Sequence, residues 1–475
     1  MRTDGRPPRI QSDWSATAIL LMVLIVGLTL FGAFARSIPI MYGGALLGGC
    51  LLPRVTLPVA ALWLLVLVPI GYMDTPRFLG QYLTPAVLVT GIWMARIIIG
   101  QPKSLLPGAR IRGWLIVGSF FALFLASALN SGRLDLTVAW GGAVIVCIIA
   151  PAMLGQVAVD DVWPGVRRAL AAIAVFLGML AAADAYLQFN PWTSLYRGAF
   201  QAYEWSVFRT KTSLGHPLTT STIASVALSV CLFPHGARRR WPYLICAVGA
   251  GAAVILSVSR TSIFAVGLAT IVGVFAVRQN GISSDGGQAR GRFVTLMIAA
   301  VLAGAIAWSP LLSERNQASE ATLSAANRSN SFDNTLDMFS AHPLLGVGPG
   351  TSPDAYFFSY NEVLENSAFQ LLLSVGLPAF LIAIAGLAAV VGVALRRGRP
   401  GVAGGIVAFL ISSTGFNVLD VAPALLAVIS PLIFCSVAPV RIGGQPTTEA
   451  ADASFVSSRN VKPARPGAGA RSPVF

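Results

Sequence analysis

Apolar stretches long enough to cross a lipid bilayer recur along almost the whole chain. About 20 apolar residues cover the roughly 30 Å of membrane hydrocarbon, where every backbone polar group must be satisfied within the protein. Such stretches lie near 15–35, 38–52, 55–72, 79–100, 113–129, 136–157, 165–187, 217–234, 241–258, 261–277, 293–311, 366–394, 401–416 and 421–439. The pattern predicts an all-α, polytopic transmembrane helical bundle of about 12–14 spans, since the stretches 38–52 and 401–416 are short.

The charge distribution indicates a topology rather than a nucleic-acid partner. Only 11% of the residues are charged, against about 25% in soluble domains, yet the formal net charge is +14. With the N-terminus in the cytoplasm, 24 of the 33 Lys and Arg residues fall on the cytoplasmic side and nine on the outer side. Cytoplasmic loops of membrane proteins carry this excess, so we expect both termini inside and no nucleic acid bound.

This topology divides the chain into three parts. Residues 1–14 form a cytoplasmic tail, 15–440 the transmembrane domain, and 441–475 a cytoplasmic tail rich in Pro, Ala, Ser and Arg that we expect to be disordered. The longest extracytoplasmic loops are 188–216 and 312–365. A loop as long as the second one usually has a function, so we expect the chemistry there. The long first apolar segment argues against a cleaved signal peptide.

Several classes of site are not indicated. The five cysteines contain no Cys-x-x-Cys pair, and the three histidines do not cluster. No Gly-Lys-Ser phosphate-binding motif is present. The sequence therefore predicts no metal site and no bound cofactor.

Cations on the outer side mark two candidate anion sites. Arg260 lies between two apolar runs with Ser259 and Thr261 as neighbours. An arginine at membrane depth usually faces a cavity or a partner, or its side chain extends to the interface. Arg209 and Lys211 precede a helix start at Pro217, where free N–H groups favour an anion. A plain solvated loop explains the second pattern equally well.

The long loop contains a third cation and a tight turn. Arg328 precedes a predicted helix over 332–339, whose apolar residues share one face that could lie on the membrane surface. A turn rich in Gly and Pro follows, and we assign its architecture to His342, Pro343, Gly346, Gly348 and Gly350.

Glu365 and Asn366 stand where the next span begins. A carboxylate at a helix N-terminus gains about 0.3–1 kcal/mol from the helix dipole, so a structural role is sufficient to explain it. A carboxylate at the edge of a membrane cavity is also a candidate general base.

Taken in order, these motifs resemble the O-antigen ligase and polysaccharide polymerase family. The resemblance covers about 205–440 and rests on Phe208-Arg209, Gly215-His216-Pro217, Ser259-Arg260, Arg328, His342-Pro343-Leu344-Leu345-Gly346-Val347-Gly348-Pro349-Gly350, Glu365-Asn366-Ser367 and Val375-Gly376-Leu377. The nine-residue string from His342 is its most specific part.

The resemblance implies a metal-independent glycosyltransferase of the bacterial plasma membrane. Such enzymes move a glycan from a polyprenyl pyrophosphate to a sugar hydroxyl of a glycan, lipid or protein acceptor on the outer side. It implies that Arg260 and Arg328 hold the pyrophosphate, with Arg209 and Lys211 as further contacts. Other polysaccharide-assembly proteins are expected partners.

One position departs from the family pattern. Ligases of this family typically carry His where this chain has Glu365, and that His is the proposed base or acceptor-positioning group. We expect Glu365 to take this role, and its basicity would increase if the side chain were buried. The change could also mark a polymerase rather than a ligase.

Two other functional classes share the apolar pattern. A lipid-linked glycan exporter would have the same spans and cavity, but it would be expected to show internal repeats and charges at mid-membrane. A non-catalytic scaffold of an envelope-assembly complex would not need Arg260, Arg328 and Glu365 together.

Overall fold

The computed structural model of the chain describes residues 16–68, 82–100, 111–157, 160–195, 208–234, 239–279 and 319–439. Helix makes up 81% of the structure, and this part of the chain contains no strand. The α-helices, numbered in chain order, are α1 (Ala16–Phe34), α2 (Ile38–Leu51), α3 (Leu57–Leu67), α4 (Pro85–Gly100), α5 (Ile111–Ser131), α6 (Leu134–Val144), α7 (Ala150–Leu154), α8 (Trp163–Tyr186), α9 (Pro191–Leu195), α10 (Pro217–Leu232), α11 (Trp241–Leu256), α12 (Arg260–Gln279), α13 (Ser319–Ala341), α14 (Ser352–Tyr360), α15 (Ser367–Arg396), α16 (Pro400–Ser413), α17 (Val418–Val421) and α18 (Leu426–Val437).

These helices confirm the predicted fold class, a polytopic helical bundle. Within the described residues, five helices are long and apolar enough to cross a membrane: Ala16–Phe34, Gly113–Ser131, Leu134–Leu154, Trp163–Tyr186 and Ser367–Arg396. Eight shorter apolar helices of 10–17 residues coincide with other predicted spans. The predicted span 293–311 lies outside the described residues.

Helix α10 forms the centre of the bundle. It packs against α8, α11, α12 and α16, and nearly all of its residues are buried. Six of its side chains are Ser or Thr, and several of their hydroxyls donate to carbonyls of the preceding turn, as Thr222 does to Leu218 at 2.8 Å. Small residues of this kind allow close helix packing in membranes.

Arginine side chains complete two helix ends. The last carbonyls of a helix have no partner within it. Arg96 donates to the carbonyl oxygen of Gly49 at 3.0 Å, at the end of α2. Arg397 donates in the same way to Ala438 at 2.7 Å, beyond α18. These two cations therefore have structural roles.

Helix α15 is broken inside its apolar stretch. Gly376 has φ 72° and ψ 173°, which are not helical values, and Pro378 follows in the second half. A break here leaves N–H and C=O groups without helical partners, and a membrane offers no water to satisfy them. The sequence analysis predicted this stretch as a continuous span and missed the break.

The turn after α13 supplies the missing partners. Three backbone hydrogen bonds join the two segments: Val347 N–H to Leu373 O at 2.7 Å, Gly348 N–H to Ser374 O at 3.1 Å, and Leu377 N–H to Pro343 O at 2.9 Å. The hydroxyl of Ser127 on α5 donates to the carbonyls of Ser374 and Leu345. The turn, α5 and the broken helix thus form one hydrogen-bonded unit.

Two glycines allow this close approach. Gly346 has φ 68°, and a Cβ atom there would overlap the carbonyl oxygen of Leu373. A Cβ atom at Gly376 would overlap the carbonyl oxygen of Leu344. Glycine is thus required at both positions for two reasons. The backbone there is left-handed, and the two segments leave no space for a Cβ atom.

We predict that Gly376→Ala destabilises the protein, by about 2 kcal/mol or more, because it combines left-handed strain with a backbone overlap. Gly386→Ala on the same helix is the matched control, since no atom outside its own helix lies within 4 Å of the added Cβ. The control should leave stability unchanged or slightly raised. Thermal unfolding in detergent would measure both, and equal melting temperatures would contradict the account of the break.

Candidate active site

Five connections between helices meet at one end of the bundle, which we call the site end. The Ser131 side chain lies against Gly348, and further contacts described below link the rest. The connections are 131–133, 208–216, 257–260, 342–366 and 414–417.

The cationic segment around Arg209 and Lys211 is held in place by hydrogen bonds to the ends of α8 and α11. One oxygen of the Asp184 carboxylate, at the end of α8, accepts from the Thr210 hydroxyl and the Lys211 N–H, each at 2.9 Å. Arg209 donates through Nε to the carbonyl oxygen of Ser257 at 3.1 Å. Both cationic side chains are part-exposed. The segment therefore presents two positive charges from a fixed backbone beside the start of α12.

His216 joins this segment to α10 as its N-cap. Its Nδ1 accepts from the Leu218 N–H at 3.3 Å. Burial, together with the neighbouring charges of Arg209 and Lys211, lowers the pKa of His216 to about 4. The ring is therefore neutral at physiological pH, which the cap requires because protonated Nδ1 has no lone pair to offer.

Arg260 is the first residue of α12 and is exposed. Val258 before it has φ 51°, which makes the sharp turn out of α11. The Ser259 hydroxyl donates to Ser262 at 3.0 Å, and Ser262 donates to Ser221 on α10 at 2.7 Å. Buried serines thus fix the turn, and the guanidinium of Arg260 forms no ion pair with any described residue.

The helix expected over 332–339 begins much earlier, and the prediction that Arg328 stands at its N-terminus is wrong. Helix α13 runs from Ser319 to Ala341, so the backbone of Arg328 lies inside it. The added turns include Glu320, Leu323 and three alanines, which favour helix. The Arg328 side chain lies outside the described part of the structure.

The remainder of α13 packs on the start of α15. Its buried positions include Ser331, Thr335 and Met338, while Phe332 and Leu336 are about half exposed. The rings of Phe332 and Phe369 lie 5.9 Å apart. The helical turn that carries Arg328 is therefore adjacent to the one that packs on α15.

Glu365 and Asn366 differ in what they contact. The Asn366 side chain caps α15 by accepting from the N–H groups of Ala368 at 2.9 Å and Phe369 at 3.3 Å. Glu365 directly precedes this cap at the site end, and its side chain is exposed.

The turn at 414–417 connects three of the candidate segments, and the sequence analysis did not single it out. Phe416 stacks on His216, with ring centroids 6.3 Å apart and planes at 26°. Its carbonyl oxygen accepts from Ser367 at 2.8 Å. A Cβ atom at Gly415 would overlap the side chain of Thr261, next to Arg260. The starts of α10, α12 and α15 are thus held around one turn.

An apolar cavity of about 360 Å³ opens beside the start of α15. Ser367, Ala368 and Leu371 line one side. Phe120 on α5 and Trp140 on α6 are among its other, apolar lining residues. A cavity of this chemistry suits a hydrocarbon chain rather than a sugar.

No group of three His, Cys, Asp or Glu residues that could hold a metal ion is found in the described ranges. The cysteines there are all free thiols.

Comparison with protein families gives a match over residues 243–384, to the family described as O-antigen ligase. This stretch of the chain is thus similar to the O-antigen ligase family, and the match supports a membrane protein of the glycosyltransferase type, ligase or polymerase. A comparison with curated proteins found no match.

The ligase domain match is narrower than the resemblance seen in the sequence. It includes Arg260, Arg328, the turn from His342 to Gly350, Glu365 and the break at Gly376. Arg209, Lys211 and Phe416 lie outside it and are connected to the matched segment through the contacts described above. The roles of all these residues stay predictions.

The lowered pKa of His216 predicts a pH-dependent stability. The unfolded ring has a pKa near 6.5, and the folded ring about 4. Between these values the unfolded chain binds more protons, so stability falls as the pH drops from 6.5 towards 4.

The variant His216→Asn keeps an N-cap acceptor but has no group that titrates in this range. Between pH 6.5 and pH 4 its melting temperature should therefore fall less than that of the wild-type protein. His342→Asn, at an exposed histidine, is the control and should follow wild type. Thermal melts at a series of pH values would test this, and identical pH dependence in all three proteins would contradict it.

Proposed function

We propose that this protein transfers a glycan from a polyprenyl-pyrophosphate donor to a hydroxyl of a glycan, lipid or protein acceptor. The reaction takes place at the outer face of the bacterial plasma membrane. The observation that carries the proposal is the turn at Gly415 and Phe416. It holds the cationic segments and the Glu365 helix start together, beside an apolar cavity.

The cations hold the pyrophosphate. Arg209 and Lys211 stand on one fixed segment and Arg260 starts the adjacent helix. We assign Arg328 to the same group because its turn of α13 lies near the start of α15. Guanidinium groups bind phosphate oxygens through paired, charge-assisted hydrogen bonds. Their positive charge stabilises the negative charge of the leaving pyrophosphate. We therefore propose that the reaction needs no metal ion.

The apolar cavity receives the polyprenyl chain. Its lining reaches from the start of α15 to Leu387 and Val390, deep in the second half of that helix. A lipid tail lying along this path places its pyrophosphate at the site end. The donor would thus be held at both its charged and its apolar parts.

The transfer itself is a displacement at the anomeric carbon. The acceptor hydroxyl oxygen attacks this carbon while the bond from the carbon to the pyrophosphate oxygen breaks. The pyrophosphate leaves with the bonding electron pair, stabilised by the cations. The hydroxyl proton passes to the Glu365 carboxylate, which acts as base or as the group that orients the acceptor.

We predict that Glu365→Gln lowers glycan transfer about 10²–10⁴-fold, the usual contribution of a general base, because the amide keeps the shape and loses the basicity. Asp135→Asn, at an exposed carboxylate of the site end, is the control and should retain activity. Initial rates with lipid-linked glycan would measure both. Full activity of Glu365→Gln would overturn the assigned role.

Reconstitution in liposomes tests the reaction class. Wild-type protein should release polyprenyl pyrophosphate from a polyprenyl-linked glycan, and Arg260→Ala and Arg328→Ala should release much less. A ladder of longer glycans identifies a polymerase, whereas one discrete conjugate identifies a ligase. A glycan that crosses the bilayer chemically unchanged would identify an exporter and overturn the proposal.

A further inference from the structure

One polar side chain in the first turns of α15 is buried without a partner. Ser367, Gln370 and Ser374 follow one another at the spacing of a single helix face. Ser367 donates to the carbonyl oxygen of Phe416 at 2.8 Å, and Ser374 donates to the Ser352 hydroxyl of α14 at 2.9 Å. Gln370 lies between them and is 1% exposed, yet neither polar atom of its amide bonds to any residue that the structure describes. A buried amide costs free energy until it is satisfied.

A second unsatisfied group faces the same interface from α14. Helix α14 runs antiparallel to the start of α15, because Ser352 bonds to Ser374 and the chain then returns from Tyr360 to the first turn of α15. Tyr356 stands one turn after Ser352, and Gln370 one turn before Ser374, so both lie between the two helices. Tyr356 is 0% exposed, and its hydroxyl also has no partner among the described residues. The interface therefore encloses an amide and a phenol that are both unsatisfied.

Helix α14 has the features of a cover over these two groups. It is nine residues long and lies between Gly350, with φ 74°, and Asn361, with φ 54°. Hinges are residues at the ends of elements that absorb a change of backbone direction. Unsatisfied polar groups weaken the closed interface, and a polar ligand satisfies them once α14 moves aside.

The chemistry of the two groups suits a neutral sugar. An amide donates through nitrogen and accepts through oxygen, and a phenol does both, so together they match neighbouring hydroxyls of a glycan. They offer no positive charge to a phosphate, and a lipid chain offers them no hydrogen bond. Ser367, on the same face of α15 as Gln370, also lines the apolar cavity assigned to the donor lipid. A donor held in that cavity therefore brings its glycan close to Gln370.

We propose that Gln370 and Tyr356 bind hydroxyls of the donor glycan, in a site that α14 covers until the donor arrives. This rests on the proposed function, which it extends by assigning residues to the sugar as well as to the pyrophosphate and the lipid. The site lies one helical turn from the Asn366 cap that follows Glu365. The bound sugar is thus held beside the group assigned as base.

A matched pair of variants separates sugar binding from folding. Gln370→Leu removes the unsatisfied amide at similar size, so the melting temperature in detergent should stay equal or rise. The Kd of the glycan-carrying donor should rise at least about 10-fold, because two hydrogen bonds are lost. Ser430→Ala on α18 is the control, since that hydroxyl is also buried without a partner in the described part of the chain. It should leave donor affinity unchanged.

Ligand-induced thermal shifts give these affinities without catalysis. The probes are the lipid-linked glycan isolated from the native host and the bare polyprenyl pyrophosphate. Wild-type protein should bind the glycan-carrying lipid more tightly than the bare lipid, and Gln370→Leu should bind both alike. Tyr356→Phe, which removes only the hydroxyl, should lose part of the same preference.

A reversible crosslink tests the cover. The hydroxyl oxygens of Ser352 and Ser374 lie 2.9 Å apart, so two cysteines there can form a disulfide when diamide takes up their thiol hydrogens. The oxidised protein with Ser352→Cys and Ser374→Cys should lose the preference for the glycan-carrying lipid, and dithiothreitol should restore it. Oxidised wild type, whose described cysteines are free thiols, is the control and should keep the preference.

Other results would overturn the inference. These are equal binding of both lipids by wild type, a preference that Gln370→Leu keeps, a lower melting temperature of that variant, or normal binding by the crosslinked protein. The liposome assay separates this failure from failure of the proposed function. Glycan-dependent binding without pyrophosphate release would leave the sugar site and remove the transfer reaction, whereas release without such binding would remove only the sugar site.

Discussion

The site end depends on backbone hydrogen bonds between two irregular segments inside an otherwise helical bundle. Breaking α15 at Gly376 leaves peptide groups that lipid cannot satisfy, and the turn from Pro343 to Gly348 satisfies them. The same contact fixes α13 and α14 relative to α15, because both helices are joined directly to this turn. The position of Glu365 thus follows from a few peptide–peptide contacts.

Much of the fold was predictable because span length and apolar content depend on local sequence. The spans over 217–234 and 241–258 agree with α10 and α11 to within a few residues, and Arg260 stands at a helix start as the pattern suggested. The segment before 332 was misassigned because its polar composition hides strong helix formers. Helix propensity in that segment acts together with the packing of the following turns of α13 on α15, which no local pattern contains.

The site was predictable as a set of segments and not as an arrangement. The sequence identified the cationic and glycine-rich motifs, yet Thr414-Gly415-Phe416-Asn417 looks like any turn between two short spans. Its importance comes from contacts to residues about 50 to 200 positions away in the chain. The break at Gly376 had a visible signal, a glycine two residues before a proline, but such pairs are also tolerated in continuous membrane helices.

The lengths of the helices around the Phe416 turn set how deep the site lies. Helix α16 has 14 residues and α10 and α11 have 16 each, so they rise only about 21–24 Å. Because this is shorter than the roughly 30 Å hydrocarbon layer, helices buried inside the protein, as α10 and α16 are, end below the level that a full-length span reaches. The resulting depression lets water and lipid headgroups sink towards the cations. A lipid-linked pyrophosphate would then reach its binding groups without leaving the leaflet that carries it.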